Sequence, residues 1–297
     1  MAKILITGCR GQLGTDCRTV LAHHEIQAVD LPELDITDAV AVRARLSAFR
    51  PDAIVNCAAY TAVDRAESDE ALCAHVNTDG PATLAAACAE AGCRLVHVST
   101  DYVLPGTRPV PESAPETDPT GPSSVYGRTK LAGERAIAEA GCDHVILRTA
   151  WLYGAHGKNF PKTMLRLALK NPAHTARVVA DQWGCPTWSY RLAEQIRAVL
   201  EAPRGAVQGV CHAVGLGHTN WFEFAETFLT LMDVPHALEP CTTADYPTPA
   251  KRPANSILED RRLREAGLLA MDDWKDALAA FVRLHREDLL AEAKTLL

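Results

Sequence analysis

Short runs of β-branched and aliphatic residues alternate with helical stretches through the first half of this chain. The runs cover residues 3–7, 26–30, 53–57, 95–100 and 145–150. Between them, residues 37–49 and 83–91 show helical periodicity. This alternation predicts β–α–β units and a parallel sheet. Because the runs are almost continuously apolar, we expect helices to cover both faces of that sheet.

The regular alternation stops after residue 150. Helices are expected at residues 160–169, 191–200 and 221–232, and a short strand at 177–180. Residues 105–124 are rich in Pro, Gly, Thr, Ser and Glu and are expected to form a loop. Loops of that length in compact domains are usually functional.

A glycine-rich turn, TGCRGQLG, follows the first predicted strand and opens a helix. Its glycines are Gly8, Gly11 and Gly14. Glycines there permit a tight turn and close backbone approach, and a helix N-terminus can hold a pyrophosphate. A plain strand–helix turn is the alternative, but this position favours cofactor binding.

Together, the alternation of strands and helices, the change of pattern after residue 150 and the glycine turn predict the fold. We predict an α/β fold with a Rossmann-type doubly wound parallel sheet and a smaller C-terminal substrate-binding lobe.

The predicted fold has two parts. Residues 1–150 are expected to form the dinucleotide-binding domain, to which residues 176–215 return. Residues 151–175 and 216–297 are expected to form mainly the substrate-binding lobe. We expect no clean linker, because the chain crosses between the two parts more than once.

Two residues near the glycine turn bear on the choice of dinucleotide. Asp30 ends the second predicted strand, where a carboxylate hydrogen-bonds the adenosine ribose and repels a 2′-phosphate, which favours NADH. Arg10 lies inside the turn, where a guanidinium could hold that phosphate, although a solvated loop arginine is the alternative. NADPH and NADH therefore both stay open as the cofactor.

Tyr126 and Lys130 lie four residues apart at the start of a predicted helix, so they share one face. Thr100 ends the fourth predicted strand, at the sheet edge where open α/β folds bind ligands. Ketone reduction needs a proton donor, and a free tyrosine has a pKa of about 10. We expect the Lys130 ammonium to lower the pKa of Tyr126 and Thr100 to hydrogen-bond the same oxygen. A surface Tyr and Lys on an amphipathic helix is the alternative.

Charge and composition argue against several classes of protein. A net charge of −7 argues against a nucleic-acid partner, which normally needs a basic surface. No apolar run is long enough to span a bilayer, and the first residues form a strand pattern in place of a signal peptide. We therefore expect a cytoplasmic protein without a membrane partner. Ten scattered cysteines without a Cys-x-x-Cys pair favour reduced thiols over zinc or disulfides.

The chain closely resembles the dTDP-4-dehydrorhamnose reductase family of extended short-chain dehydrogenases/reductases. The similar segments are, in order, TGCRGQLG, IVNCAAYTAVDRAES, STDYVLPG, YGRTKLAGE, LRTAWLYG, DQWGCPT and YPTPAKRPANS. They cover essentially the whole chain, and AAYTAVDRAE and YPTP-x-RP-x-NS are the most specific. The resemblance implies an NAD(P)H-dependent oxidoreductase that reduces the C4 keto group of dTDP-4-dehydro-L-rhamnose to give dTDP-L-rhamnose.

Roles for individual residues follow from the glycine turn and the resemblance. Tyr126 would be the general acid, Lys130 its partner and a ligand of the nicotinamide ribose, and Thr100 would tune the pair. Further cofactor contacts would come from Gly8, Gly11, Gln12, Leu13, Gly14, Asp30, Asp35, Ile36, Ala59, Tyr60 and Thr61. Substrate contacts would come from Thr100, Asp101, Tyr126, Trp151 and Arg252. Asn77 either kinks a helix or supports the site, and Leu104 stands where the family usually has Phe.

Two other functions are compatible with the same fold. A nucleotide-sugar epimerase or dehydratase is one, but dehydratases of this type follow the catalytic Thr with Asp-Glu, whereas Thr100 precedes Asp101-Tyr102. A regulatory subunit similar to the β-subunit of methionine adenosyltransferase is the other, although it has no need of Tyr126 and Lys130. Some family members are magnesium-dependent dimers, so a homodimer and magnesium stay open. No residue cluster here has metal-ligand spacing, so no metal ligand is assigned.

Overall fold

The computed structural model of this chain describes residues 1–171 and 174–296. Residues 172, 173 and 297, which fall within the predicted substrate-binding lobe, lie outside the described residues. The strands are β1 (Lys3–Thr7), β2 (Glu25–Val29), β3 (Ala53–Asn56), β4 (Arg94–Thr100), β5 (His144–Thr149), β6 (Leu152–Tyr153), β7 (Thr175–Val179), β8 (Trp183–Gly184), β9 (Thr187–Trp188), β10 (Gly209–His212), β11 (Thr219–Asn220), β12 (Ala237–Cys241) and β13 (Asn255–Ser256).

Most of the α-helices alternate with the strands, and the longest of them, α11, lies nearest the C-terminus. They are α1 (Gln12–Val20), α2 (Ala39–Phe49), α3 (Val63–Ala66), α4 (Glu70–Ala74), α5 (Gly80–Ala91), α6 (Val125–Glu139), α7 (Phe160–Lys170), α8 (Ser189–Glu201), α9 (Trp221–Leu231), α10 (Arg261–Glu265) and α11 (Trp274–Thr295). A π-helical turn, His75–Asp79, joins α4 to α5, and a 3₁₀ turn, Asp101–Val103, follows β4.

The central sheet has six parallel strands in the order β10-β5-β4-β3-β1-β2. Alternate residues of a strand face opposite sides of a sheet. Ile4 accordingly packs on the side of α1 and α8, and Leu5 on the side of α2 and α5. The predicted Rossmann-type, doubly wound parallel sheet is thereby confirmed.

The sheet order reverses at β1, because β2 lies on one side of it and β3 on the other. Ligands of open parallel sheets bind at the carboxyl ends of the strands beside such a reversal. The glycine turn leaves β1 at that end, so the fold alone places it at the expected binding crevice.

A second apolar core lies outside the central sheet. Helices α7, α9 and α11 form it around aromatic side chains such as Phe224, Phe228 and Phe281. Strands β7 and β12 pair in parallel at its edge. The division into a cofactor-binding and a substrate-binding part stays a prediction about function.

Most of the predicted elements are confirmed with small shifts at their ends. Each of the five predicted strands in the first half matches β1 to β5 within one residue at either end. The predicted helices at 160–169, 191–200 and 221–232 correspond to α7, α8 and α9, and the strand at 177–180 to β7. Residues 105–124 contain no helix or strand. The short helices of residues 63–79 and the whole of α11 were not predicted.

Among the described residues, no helix is both long enough and apolar enough to cross a membrane. All ten cysteines are free thiols, and nine of them are buried. A free cysteine in such a position packs as a small apolar side chain.

Candidate active site

The carboxyl ends of β1, β3, β4 and β5 open into a cleft of about 590 Å³. This volume lies within the usual range of ligand pockets. The predicted site residues that line the cleft are Gly11, Gln12, Leu13, Gly14, Ala59, Thr61, Thr100, Asp101, Tyr126, Lys130 and Trp151. The structure therefore brings together parts of the glycine turn, the segment after β3, the end of β4 and the start of α6.

The glycine turn fits a diphosphate. Gly8 has a left-handed φ of +67°, and a Cβ there would lie 2.6 Å from the backbone nitrogen of Ala58. A Cβ on Gly14 would overlap the Gly8 carbonyl oxygen. Helix α1 follows directly, with Gly11 as its N-cap. Since glycine has no side chain to bond the first N–H groups of the helix, those groups can receive phosphate oxygens.

Asp30 lies against the glycine turn without lining the cleft. Its carboxylate accepts a hydrogen bond from the backbone N–H of Arg10 at 2.9 Å. The Arg10 guanidinium turns the other way, donating to the carbonyl of Leu31 at 2.8 Å and pairing with Glu33. Asp30 and Arg10, the two residues expected to influence cofactor choice, are therefore hydrogen-bonded to each other. The positive charge of Arg10 is also partly neutralised by Glu33.

Asp35, Ile36 and Tyr60 also lie outside the cleft lining. The Asp35 carboxylate accepts from both the N–H and the hydroxyl of Thr37, which lowers the pKa of Asp35. Ile36 is buried tightly against Gly80. Tyr60 is bound through its backbone, as described below. Their assignment to the adenosine side and the cofactor path stays a prediction.

Helix α6 presents Tyr126 to the cleft. The helix begins at Val125, and the hydroxyl of Ser124 accepts a hydrogen bond from the N–H of Gly127 at 3.1 Å, a typical N-cap. Gly127 packs so closely on the carbonyl of Tyr102 that a Cβ there would overlap it. The ring of Tyr126 meets that of Tyr102 edge-on at 5.5 Å. Cap and close packing together fix the phenol at the end of β4.

The protonation of Tyr126 differs from the sequence-based expectation. Burial raises the pKa of Tyr126, and the Thr100 hydroxyl opposes that rise. The expected lowering by Lys130 is not seen, and the Nζ of Lys130 donates instead to the carbonyl of Val98 at 2.7 Å. Burial also lowers the pKa of Lys130 to about 8. The phenol is therefore held in its protonated form, the form that a general acid needs.

Asp101 is enclosed directly after β4. The Thr100 hydroxyl donates to its Oδ1 at 3.0 Å and accepts from the N–H of Tyr102 at 3.2 Å. The hydroxyl of Ser256, in β13, donates to its Oδ2 at 2.5 Å. Burial raises the pKa of Asp101 to about 6. This carboxyl group thus joins the cleft to the C-terminal part of the chain.

A buried ion pair between Glu134 of α6 and Arg148 of β5 attaches α6 to the central sheet, and it was not predicted. Glu134 accepts from Arg148 of β5 at 2.9 and 2.6 Å and from the Ser99 hydroxyl at 2.5 Å. The available signal was the spacing of Lys130 and Glu134, which places both side chains on one face of a helix. The pair ties α6 to β4 and β5, next to Lys130.

Asn77 supports the segment after β3. It is buried in the π-helical turn, where its side chain accepts from the N–H of Tyr60 at 2.9 Å and donates to the Tyr60 carbonyl at 3.0 Å. Single π-helical turns are frequent at functional sites. The two sequence interpretations of Asn77 are therefore compatible. Asn77 lies in an irregular helix, and it also binds the backbone of Tyr60, between Ala59 and Thr61 of the cleft.

Trp151 and Arg252 occupy different surroundings. Trp151 has a left-handed φ of +48° and stacks on Trp221 with ring centroids 3.6 Å apart. Arg252 does not line the cleft but forms two hydrogen bonds with Asp64 of α3, at 2.8 and 2.7 Å. Contact of Arg252 with a diphosphate stays a prediction.

Ten further residues line the cleft that sequence reasoning did not assign. They are Cys57, Val63, Val98, Ser99, Tyr102, Thr149, Ala150, Leu152, Gly157 and Lys158. Most lie at the ends of strands or directly after them, a position that could have singled them out. For Lys158, the signal was a cation beside Gly157 in a polar loop.

One group of three possible metal ligands comes together among residues 1–171 and 174–296, formed by His23, His24 and Glu201. It does not belong to the cleft lining. Nδ1 of His24 accepts from the N–H of Ala2 at 3.3 Å, so the neutral ring carries its proton on the nitrogen that faces Glu201. Magnesium prefers oxygen ligands, so this group does not fit a magnesium ion.

Comparison with known proteins agrees with this geometry. The sequence profile of a family described as RmlD substrate binding domain matches residues 2–286. A dTDP-4-dehydrorhamnose reductase of Streptomyces griseus is 44% identical over 280 residues, covering 92% of this chain and 91% of that protein. The chain belongs to the dTDP-4-dehydrorhamnose reductase family.

Two further proteins that are similar to this chain extend the comparison. A probable dTDP-4,6-dihydroxy-2-methyloxan-3-one 4-ketoreductase of Streptomyces antibioticus is 44% identical, covering 92% of both chains. The crystal structure of a dTDP-4-dehydrorhamnose reductase from Bacillus anthracis in complex with NADP superposes with a TM-score of 0.89 at 35% identity, covering 95% of this chain and 99% of that one. The predicted NAD(P)H-dependent oxidoreductase is thereby confirmed, and a non-catalytic regulatory subunit is not supported.

Proposed function

We propose that this chain reduces the C4 keto group of dTDP-4-dehydro-L-rhamnose with NAD(P)H, giving dTDP-L-rhamnose, and that Tyr126 is the general acid. One observation carries the proposal. In a member of this reductase family, a buried, protonated phenol shares one cleft with a glycine turn that fits a diphosphate.

The cofactor would bind along the cleft lined by the glycine turn and the segment after β3. The N–H groups at Gly11, Gln12 and Leu13 would hold the pyrophosphate at the start of α1, and Lys130 would bind the nicotinamide ribose. When bound, the nicotinamide supplies the hydride that the keto carbon accepts. The chain itself orients the sugar and supplies the proton.

The proton comes from the hydroxyl of Tyr126. Because burial raises the pKa of Tyr126, the phenol keeps its proton until negative charge develops on the C4 oxygen of the sugar. A secondary alkoxide is more basic than a tyrosinate, so the transfer is then downhill. Thr100 and Asp101 form the adjoining wall, and Trp151 closes the sugar end of the cleft.

Both NADH and NADPH are expected to support turnover. Asp30 next to the turn favours a free ribose hydroxyl, and Arg10 favours a 2′-phosphate, but Arg10 is already paired with Glu33. Neither residue then dominates. The specificity constants kcat/KM for the two cofactors should differ by less than about a thousandfold, roughly 4 kcal/mol.

The substitution Tyr126→Phe tests the proposal. It removes one hydroxyl and is expected to lower kcat by ~10²–10⁴, the usual size of a general-acid contribution, with the dissociation constant of NADPH nearly unchanged. The measurement is steady-state NADPH oxidation with dTDP-4-dehydro-L-rhamnose, together with a fluorescence titration of NADPH.

Tyr153→Phe is the matched control. Tyr153 is buried in the second core, its hydroxyl has no hydrogen-bond partner among the described residues, and it does not line the cleft. Removal of this hydroxyl in Tyr153→Phe should leave kcat unchanged. If Tyr126→Phe retains more than half of the wild-type kcat, Tyr126 is not the acid.

A further inference from the structure

Lys130 is buried, and its amine meets a histidine of the central sheet. The Nζ atom lies 3.3 Å from Nε2 of His97 and donates to the carbonyl of Val98 at 2.7 Å. His97 lies within β4 and has no exposed surface. His97 belongs to none of the sequence motifs with an expected role, and the reaction proposed above gives it none.

The hydrogen bonds of Asn56 determine which nitrogen of His97 carries the proton. The N–H of Ala58 and the hydroxyl of Thr7 lie 3.1 and 2.7 Å from one side-chain atom of Asn56. Because a backbone N–H can only donate, that atom is the amide oxygen. The amide nitrogen then faces Nδ1 of His97 at 2.9 Å and donates to it. A neutral His97 therefore carries its proton on Nε2, and burial keeps it neutral by lowering its pKa.

We propose that His97 is a positioning residue that stabilises the neutral amine of Lys130 relative to its ammonium. The Nε2–H of His97 points at Nζ and can donate only to a lone pair. A neutral amine has that lone pair and can still donate an N–H to the carbonyl of Val98. An ammonium has three N–H donors and no lone pair. It could not accept the Nε2–H of His97, and the two donors would repel each other.

The other groups around the amine do not remove this preference. The titratable groups that face it are Glu134 on α6, Cys73 on α4, Cys57 after β3 and, one helical turn away, Tyr126. Glu134 favours the ammonium, but both its oxygens are already bound by Arg148. Burial keeps the Cys73 thiol protonated by raising its pKa. Burial lowers the pKa of Lys130 to about 8, in the same direction as the contact with His97.

The consequence for catalysis rests on the proposed function. After Tyr126 gives its proton to the C4 oxygen, the tyrosinate must regain one. An ammonium at Lys130 can supply that proton and become a neutral amine, which the Nε2–H of His97 then stabilises. Water returns a proton to the amine before the next cycle. His97 therefore favours the direction of proton flow from Lys130 to Tyr126.

Titration of Lys130 in the full-length protein tests the proposal. With ¹³C-labelled lysine, the Cε signal of Lys130 can be followed by NMR from pH 6 to 11 and assigned by its loss in Lys130→Arg. We expect a midpoint near pH 8 for the wild type. In His97→Gln the side-chain amide can turn its oxygen towards the ammonium, so the midpoint should rise by about one pH unit or more. An unchanged or lower midpoint in His97→Gln would overturn the proposal.

His212→Gln is the matched control, because His212 is a fully buried histidine in β10 of the same sheet. It should leave the Lys130 midpoint at the wild-type value. If His97→Gln does not fold, ¹⁵N NMR of labelled histidine in the wild type replaces it: His97 should show its proton on Nε2 at pH 7, and a proton on Nδ1 contradicts the proposal. Neither measurement needs turnover, so failure of the proposed function would not affect them.

Discussion

Asp101 shows how a single residue can link the cleft to distant parts of the chain. Asp101 is 4% exposed, and its carboxyl group accepts hydrogen bonds from Thr100, its neighbour, and from Ser256, 155 residues away. These two hydrogen bonds favour the carboxylate, whereas burial favours the protonated acid. Burial is the larger effect, since the pKa of Asp101 rises to about 6.

This pKa predicts a specific dependence of stability on pH. In the unfolded chain the pKa of an aspartate is about 3.9, so between that value and about 6 the folded protein binds the Asp101 proton more tightly. The stabilisation by the protonated acid is complete below pH 4 and is lost as pH rises through 6. About two pH units, at about 1.4 kcal/mol each, correspond to about 3 kcal/mol.

Urea denaturation of the wild type and Asp101→Asn at pH 4 and pH 7 measures this effect. The free energy of unfolding of the wild type, relative to the variant, should fall by about 2 kcal/mol between the two pH values, because at pH 4 the unfolded carboxyl is only about half protonated. Asp233→Asn, at a side chain that is 95% exposed, is the control and should show little change. A wild-type advantage that grows with pH would contradict the account of Asp101.

Sequence patterns could identify the residues whose role follows from local spacing. Tyr126 and Lys130 are one helical turn apart, and Thr100 ends a strand, so all three are visible in the sequence. The contacts of His97 and Ser256 are not, because they depend on partners 33 and 155 residues away. Packing alone determines those contacts.

At the scale of elements, the long periodic segments were predictable and the irregular ones were not. β1 to β5 and helices α7 to α9 have clear periodicity, and their predicted ends are close to the observed ones. Residues 63–79 form two short helices and a π-helical turn whose bonds depend on Asn77 and the segment after β3. Each of these segments is only four or five residues long, which is too short for a hydrophobic periodicity to be recognised in the sequence.

The junction of α6 with β4 and β5 shows what fixes the active-site helix. Glu134, Arg148 and Ser99 form a buried network in which every partner is less than 5% exposed. Breaking a buried pair by removing one partner leaves an uncompensated charge. The network therefore constrains the position of α6, and with it the phenol of Tyr126 at the cleft.

At the scale of the whole molecule, a segment near the C-terminus reaches back to the edge of the central sheet and to α3. Ser256 bonds Asp101 at the end of β4, and Arg252 bonds Asp64 in α3. The Asp64 pKa is lowered, mainly by its hydrogen bonds with Arg252. This segment carries the YPTPAKRPANS motif, and if it binds the substrate, its prolines would limit the loop entropy lost on binding.

Arg252→Ala tests whether this segment contributes to substrate binding. A charge-assisted hydrogen bond to the diphosphate contributes mainly to binding, so KM for the sugar nucleotide should rise about 10- to 100-fold. kcat and the KM of the cofactor should stay nearly unchanged. Asp64→Asn, which breaks the ion pair but keeps the guanidinium, should raise KM much less. A collapse of kcat at unchanged KM would show that Arg252 does not bind the diphosphate.

Reduction of a dTDP-4-keto sugar is the activity that the family, the fold and the cleft of this chain support together. The most direct measurement incubates the purified protein with dTDP-4-dehydro-L-rhamnose and NADPH, follows absorbance at 340 nm, and identifies the product by proton NMR. We predict one dTDP-L-rhamnose formed for each NADPH oxidised, and no reaction of the free 4-keto-deoxysugar. Conversion of the sugar nucleotide without consumption of NADPH, or no conversion at all with either cofactor, would contradict the account.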